Sequence, residues 1–378
     1  MTETKHGRGL YLHVPFCKSK CAYCDFPSFA GCEKEMPRVI DRMCAELFDC
    51  RNAFPDTLVE TMYIGGGTPS LLPPKLMERL LQAARDAFSF APNAEISCEM
   101  NPGTVTPEFL SVCVENGVNR VSLGAQSSLD HLLSSIGRIH TFRQVREAAD
   151  LLRSFGLTNF NLDMMLGLPG QTLKDVQKTL DDFLALSPTH LSCYALIVEE
   201  GTLMEKKVDS GEWTLPDEDT ERDMYELARE TLEKNGYRQY EISNFARDGF
   251  VCRHNRDCWL RHEYLGVGAA ACGFIGNVRT RNPGTIPAYL RGDPQEQTIL
   301  TEEDARFESV MLGLRLTEGL PESVFRKAHG MGFREAFGEK LDTPLNDGRL
   351  LFENGVLRLT RYGMDVMNSV LVELMPEN

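Results

Sequence analysis

Three cysteines stand close together in "CKSKCAYCDF", at positions 17, 21 and 24. A thiolate is a soft metal ligand, and three of them at four- and three-residue spacing can wrap an ion or a cluster. Lys18, Ser19 and Lys20 are too polar for a core, and Pro15 favours a loop over a helix face. A closed zinc site would take a fourth ligand, for which His13 or Cys32 is available. A [4Fe-4S] cluster held through three irons, with one iron left free, needs no fourth. The chain carries twelve cysteines, no apolar leader and no run of eighteen apolar residues. A cytoplasmic protein without disulfides is therefore expected. Cys44, Cys50, Cys98, Cys113 and Cys193 lie in apolar or helical patterns and read as small core residues.

Other groups able to do chemistry fall at the ends of short apolar runs. "GGGTPS" (65–70) follows "ETMYIGG" (60–66), and its glycines either bring backbone N–H groups close to a ligand or make a tight turn. Glu99 closes "AEISCEMN" (94–101) and Gln126 closes "RVSLGAQS" (120–127). Arg138 lies just beyond in "GRIH", and Asp163 sits inside "FNLDMMLG" (160–167). A charge inside a strand is rare unless it is paired or meets a ligand, and several on one rim favour the ligand.

These runs, with "LYLHVPF" (10–16) and "HLSCYALIV" (190–198), predict six strands. Helical periodicity separates them, over 74–88, 141–156 and 172–186 among others, with Gly156 as a helix stop. Alternating β and α units predict a parallel sheet with right-handed crossovers. Six units give an α/β fold, an open, incomplete (βα)6 TIM-type barrel, which leaves a lateral opening. Cys17 to Cys24 then follow the carboxyl end of the first strand, the side on which such barrels carry their chemistry.

The pattern changes after residue 237. A small β extension is expected over 238–299, with "HNRDCW" (254–259) in a further sheet segment and a Gly/Ala-rich turn in "YLGVGAAACGF". Residues 300–378 read as a mostly helical, winged-helix-like domain: a helix over 301–316, an Asn-Gly turn at 354–355 and a helix over 361–375. DNA reading is not expected, because residues 301–378 hold 9 Lys or Arg against 14 Asp or Glu and the chain's net charge is -15.

The triplet CxxxCxxC on the first loop of an open β/α barrel resembles the radical S-adenosylmethionine (SAM) superfamily. With "YIGGGTPSLL", "LGAQS", "GRIH", "GLPGQT", "YEISNFAR" and "YLGVGA", the resemblance extends over nearly the whole chain, to the branch of oxygen-independent coproporphyrinogen III oxidases and related haem chaperones. It implies a [4Fe-4S] cluster on Cys17, Cys21 and Cys24 whose free iron binds SAM, which an electron cleaves to methionine and a 5'-deoxyadenosyl radical. It further implies SAM contacts from Tyr11, Tyr23, Gly66, Gly67, Thr68, Glu99, Gln126, Arg138 and Asp163. Glu99 and Asp163 would hold ribose hydroxyls or the amino group, and Arg138 the carboxylate.

Two features separate the chaperones from the oxidases within that branch. The oxidase motif extends to CxxxCxxCxC, whereas Phe26 stands at its last position here, and the oxidases carry a longer segment before the cluster. The chaperones' haem signature, HNxxYW, reads "HNRDCW", so His254 and Cys258 are the candidate haem ligands, and Cys272 stands where a nearby family turn ends in His. The resemblance thus implies a haem chaperone that delivers haem to respiratory acceptors, peripheral at the membrane as it does so, with an electron donor and room for a homodimer. The alternatives are oxidative decarboxylation of coproporphyrinogen III and a zinc-stabilised binding module, with His254 a packed structural residue if it binds no haem.

Overall fold

The structure, a computed structural model, describes residues 6–376. Six strands run parallel and neighbour one another in chain order: β1 (His6–Val14), β2 (Thr57–Gly66), β3 (Ser89–Met100), β4 (Arg120–Gln126), β5 (Phe160–Leu166) and β6 (His190–Ala195). The chain returns between them through α1 (Met36–Ala53), α2 (Pro74–Ala87), α3 (Pro107–Glu115), α4 (Phe142–Ser154) and α5 (Leu173–Ala185), and α6 (Glu218–Lys234) follows β6. Local sequence marks the helix ends. Thr141 with Gln144, and Thr172 with Asp175, form capping boxes at the starts of α4 and α5. Gly156 takes the left-handed conformation (φ 77°) that stops α4.

The barrel is open. Beyond β6 the sheet continues antiparallel through β8 (Asn244–Ala246) to β7 (Arg238–Gln239). On its other flank β9 (Tyr264–Val267) pairs parallel with β1, and β10 (Cys272–Ile275), β11 (Val278–Arg281) and β12 (Glu296–Ile299) follow antiparallel. The result is one twelve-stranded sheet with two free ends. The "HNRDCW" residues lie in a helix, α7 (Arg253–Trp259), and not in the sheet segment that the sequence suggests. The Glu95 carboxylate decides this, because it accepts from the N–H groups of Arg253 (3.0 Å) and His254 (3.1 Å) and so caps the helix start.

The strands alternate in an unusual sense. Leu10, Leu12, Met62, Ile64, Ile96, Cys98, Val121, Leu123, Leu162, Met164, Leu191 and Cys193 face outward into the apolar layer beneath the helices. The intervening Tyr63, Glu99, Arg120, Ser122, Asn161, Asp163, Ser192 and Tyr194 face a chamber inside the barrel. Branched apolar residues normally fill such an interior. Here the hydrophobic drive for folding comes from outside the barrel, and the inside is left free for polar groups.

A second apolar cluster, with Val310, Leu314, Phe325, Leu350, Leu357 and Val370, organises the C-terminal part. Its sheet joins β13 (Leu320–Pro321), β15 (Val356–Leu359) and β14 (Leu350–Glu353) in that order. Asn354 and Gly355 both have positive φ (53° and 74°), as a two-residue hairpin turn requires. The helix expected over 361–375 is two, Arg361–Asp365 and Met367–Leu374, because Val366 (φ -118°, ψ 28°) leaves the helical region between them.

Glu46 of α1 ties the barrel to its extension. Its carboxylate accepts from Gly268 N–H (3.0 Å), Asn282 Nδ2 (2.6 Å) and Tyr289 Oη (2.5 Å), and burial raises its pKa. Glu46→Ala would leave these buried donors without an acceptor and should lower unfolding stability by about 3 kcal/mol. Glu46→Gln, which keeps an acceptor, should cost less. A urea midpoint for Glu46→Ala equal to that of the wild type would refute this role.

Candidate functional site

The chamber has a volume of about 580 Å³, within the span of roughly 300–1,000 Å³ usual for small-molecule sites. Cys17, Cys21 and Cys24 line one end, all three as free thiols. Cys17 ends a two-residue strand, Phe16–Cys17, and Cys21 and Cys24 lie in the loop after it; none is on a helix, as Pro15 suggests. Short backbone contacts hold the loop: Ala22 N–H to Ile136 O (3.0 Å), Cys24 N–H to Cys21 O (3.2 Å) and Met204 N–H to Ala22 O (2.9 Å). Burial raises the pKa of Cys24, so this thiol must lose its proton as it binds a metal. Arg138 donates from Nη1 to Cys21 Sγ at 3.6 Å and from Nη2 to Gly124 O.

His13 is not a fourth ligand. Its Nδ1 accepts from Tyr11 Oη (2.9 Å), which leaves Nε2–H to donate to Pro27 O (2.9 Å), and burial lowers its pKa. Cys32 points its sulfur at Ala30 O (3.7 Å) and does not reach the chamber. Among the described residues, no group of three His, Cys, Asp or Glu side chains is arranged to hold a single metal ion.

The glycine run works differently from the role suggested for its N–H groups. Gly67 N–H donates to Val14 O (2.9 Å), Thr68 N–H to Phe16 O (2.7 Å) and Gly66 N–H to Glu99 Oε2 (3.1 Å), so all three are engaged within the protein. A Cβ on Gly67 would sit 2.5 Å from Phe16 O. The glycines therefore let this loop lie flat on the backbone that leads into Cys17, and Thr68 Oγ1 comes to 3.6 Å from Cys17 Sγ.

Glu99 and Asp163 face each other's field inside the chamber. Glu99 also accepts from Tyr63 Oη (2.9 Å), and burial above all, then the charge of Asp163, push its pKa up to about 7. Asp163 accepts from Asn161 Nδ2 (2.6 Å) and Ser122 Oγ (3.4 Å); burial raises its pKa too. Gln126 has φ 68°, a strained value for a non-glycine residue of the kind that functional sites retain, and Tyr194 Oη donates to its Oε1 (3.0 Å).

Of the residues expected from the sequence, Cys17, Cys21, Cys24, Tyr23, Gly66, Gly67, Thr68, Glu99, Gln126, Arg138 and Asp163 line this one chamber. Tyr11 stands behind Tyr63, their ring centroids 6.4 Å apart, with its hydroxyl turned to His13. His254 is 5% exposed, hydrogen-bonded to Thr61 Oγ1 (2.9 Å) and stacked on Tyr63, and burial pulls its pKa down to about 4. Neither His254 nor Cys258 reaches the chamber; Asn255 and Trp259, on another face of the same helix, do. Tyr63, Arg120, Asn161, Ser192, Trp259 and Arg315 are lining residues that sequence reasoning missed. The period-two alternation of the strands could have found the four that lie on them.

A barrel with three thiols at the carboxyl end of its first strand agrees with the resemblance to radical SAM proteins. The Radical SAM superfamily model matches residues 11–183, and the HemN C-terminal domain model matches residues 300–366. The heme chaperone HemW of Lactococcus lactis is 35% identical over 95% of both chains, and that of Escherichia coli is 35% identical over 96% of both. The chain belongs to the heme chaperone HemW family. The solved coproporphyrinogen III oxidase (HemN) of Escherichia coli, titled a radical SAM enzyme, shares the fold, with a TM-score of 0.86 and 23% identity over 98% of this chain and 90% of that one. No described helix is long and apolar enough to cross a membrane.

The raised pKa of Glu99 has a measurable sign. Its ordinary value is 4.5, so between about pH 4.5 and 7 the folded, ligand-free protein binds a proton that the unfolded chain releases, and this group's contribution to stability falls as pH rises. A cationic ligand favours the carboxylate. Affinity for a cationic ligand of the chamber should therefore rise with pH below about 7, by up to about tenfold per unit, with proton release on binding. Calorimetry in two buffers of different ionisation enthalpy reads the release; an unchanged pH profile in Glu99→Gln would refute the assignment.

Proposed function

We propose that this protein is a haem chaperone of radical SAM type. In this reading Cys17, Cys21 and Cys24 hold a [4Fe-4S] cluster, SAM binds beside it, and haem is bound and passed to haem-accepting respiratory proteins in the cytoplasm or at the membrane surface. One observation carries the reading: three free thiols converge on a polar-walled chamber in a chain that matches heme chaperones along its whole length. Three thiols that each take their own iron suit a cluster, and their lack of a fourth partner is what leaves an iron free.

When bound and reduced by an electron donor, the cluster would supply one electron to SAM. The chain's own residues bind and orient. Arg138, held beside Cys21, stands where it can meet a carboxylate. Glu99 and Asp163 answer a sulfonium, an ammonium or ribose hydroxyls, and Gln126 is preset in its strained conformation by the contact with Tyr194. Phe26, 61% exposed, lines the rim where the resemblance places a fourth cysteine in the oxidases.

For the haem contact the geometry favours a packing role for His254 over ligation. Its ring is fixed between Thr61 and Tyr63, and both it and Cys258 are turned from the chamber. Anaerobically reconstituted protein should take up close to one haem per chain. His254→Ala should lower stability but leave the Soret band of the complex unchanged, and a lost band would restore ligation by His254. Conversion of coproporphyrinogen III to protoporphyrinogen IX by the same preparation, with SAM and a reductant, would replace the chaperone reading with that of an oxidase. Stoichiometric zinc in a colourless, anaerobically purified protein would replace both with a zinc-stabilised module.

A further inference from the structure

Arg120 opens β4, six residues before Gln126, so the two are ~20 Å apart along the strand. Because the cysteine loop follows the carboxyl end of parallel β1, Arg120 lies toward the opposite end of the chamber. It is 2% exposed, and its Nε has no hydrogen-bond partner. Other buried arginines of this protein are each pinned by two carboxylates: Arg8 by Asp56 and Glu263, Arg349 by Asp347 and Glu373. Arg120 has none among the described residues, and Glu95 influences it only through space, being already committed to the start of α7. A buried, unpaired guanidinium is unfavourable unless an anion or water completes it.

Three further N–H donors around the same chamber are also buried without partners: Arg138 Nε at the cysteine end, and Trp259 Nε1 and Arg315 Nε. Arg315 stacks on the Trp259 ring, 4.4 Å from its centroid, which fixes both. The nearby carboxylate, Glu241, is occupied by Ser243 N–H (2.8 Å), Asn244 Nδ2 (2.6 Å) and Arg315 Nη2 (3.2 Å). Asn244 Oδ1 is an unpaired acceptor in the same wall, so the donors outnumber it.

We infer that Arg120, with Trp259 and Arg315, forms a carboxylate-binding subsite at the end of the chamber away from the cysteines. A planar guanidinium and an indole N–H suit a carboxylate better than a neutral group. Of the two ligands in the proposed function that carry one, SAM is assigned to the cysteine end, where Arg138 meets its carboxylate, so the subsite fits a propionate side chain of a tetrapyrrole; the inference rests on that reading for its ligand and on the geometry for its place.

The test measures protoporphyrin IX against its dimethyl ester on reconstituted protein, with SAM against its decarboxylated form as a control for the cysteine end. In the wild type protoporphyrin IX should bind about tenfold or more tightly than the ester. Arg120→Gln should abolish that preference while leaving affinity for the ester, any preference in the SAM pair and the iron and sulfide content unchanged, which shows that the variant is folded. Trp259→Phe, which keeps the ring and removes the N–H, should reduce the same preference. A preference unchanged in Arg120→Gln, or absent from the wild type, would overturn the subsite. Binding of neither porphyrin would defeat the haem reading and, with it, this ligand for the subsite, whereas equal binding of both would defeat the subsite alone.

Discussion

The reversed polarity of the barrel is the constraint on which the rest depends. Six parallel strands place apolar side chains outward against the helices and polar ones inward, so the core lies in a shell around a polar-walled chamber. A charge within that chamber loses much of its solvation, which is why burial raises the pKa of Glu99 and of Asp163. A ligand of matching charge would supply what water no longer does, and this is what suits the chamber to the proposed binding role.

Backbone and side-chain contacts together hold the cysteine loop in register with this chamber. The glycine run lies against Val14 and Phe16 at distances that no Cβ would permit, and Thr68 reaches Cys17 from it. Arg138 bridges from the opposite wall to Cys21 and Gly124. The thiols and the carboxylates are thus parts of one rigid rim, which is the preorganisation a redox cofactor and its partner molecule need.

The open edge of the barrel gives the second half of the chain its task. Helix α7, capped by Glu95, presents Asn255 and Trp259 to the chamber, and Arg315 comes from the C-terminal part to stack on Trp259. The isolated bridge between Glu241 and Leu316 joins the two parts at this place. The chamber is therefore completed by residues far from the barrel in sequence.

The sequence by itself determined the six-strand α/β alternation, the helix caps and stops, the Asn354–Gly355 hairpin and the cysteine triplet, because each depends on local periodicity, turn chemistry or spacing. Eleven of the expected ligand residues converge on one chamber, since positions at the carboxyl ends of parallel strands must share a rim. Tertiary structure alone decided the rest. Glu95, about 160 residues away in the chain, makes "HNRDCW" a helix. The stacking of His254 on Tyr63 then turns that histidine from the chamber, and Arg120, Trp259 and Arg315 come to line one chamber only through long-range packing. Local propensity carries no information about such contacts, because whether a buried polar group is paired depends on which distant segment covers it.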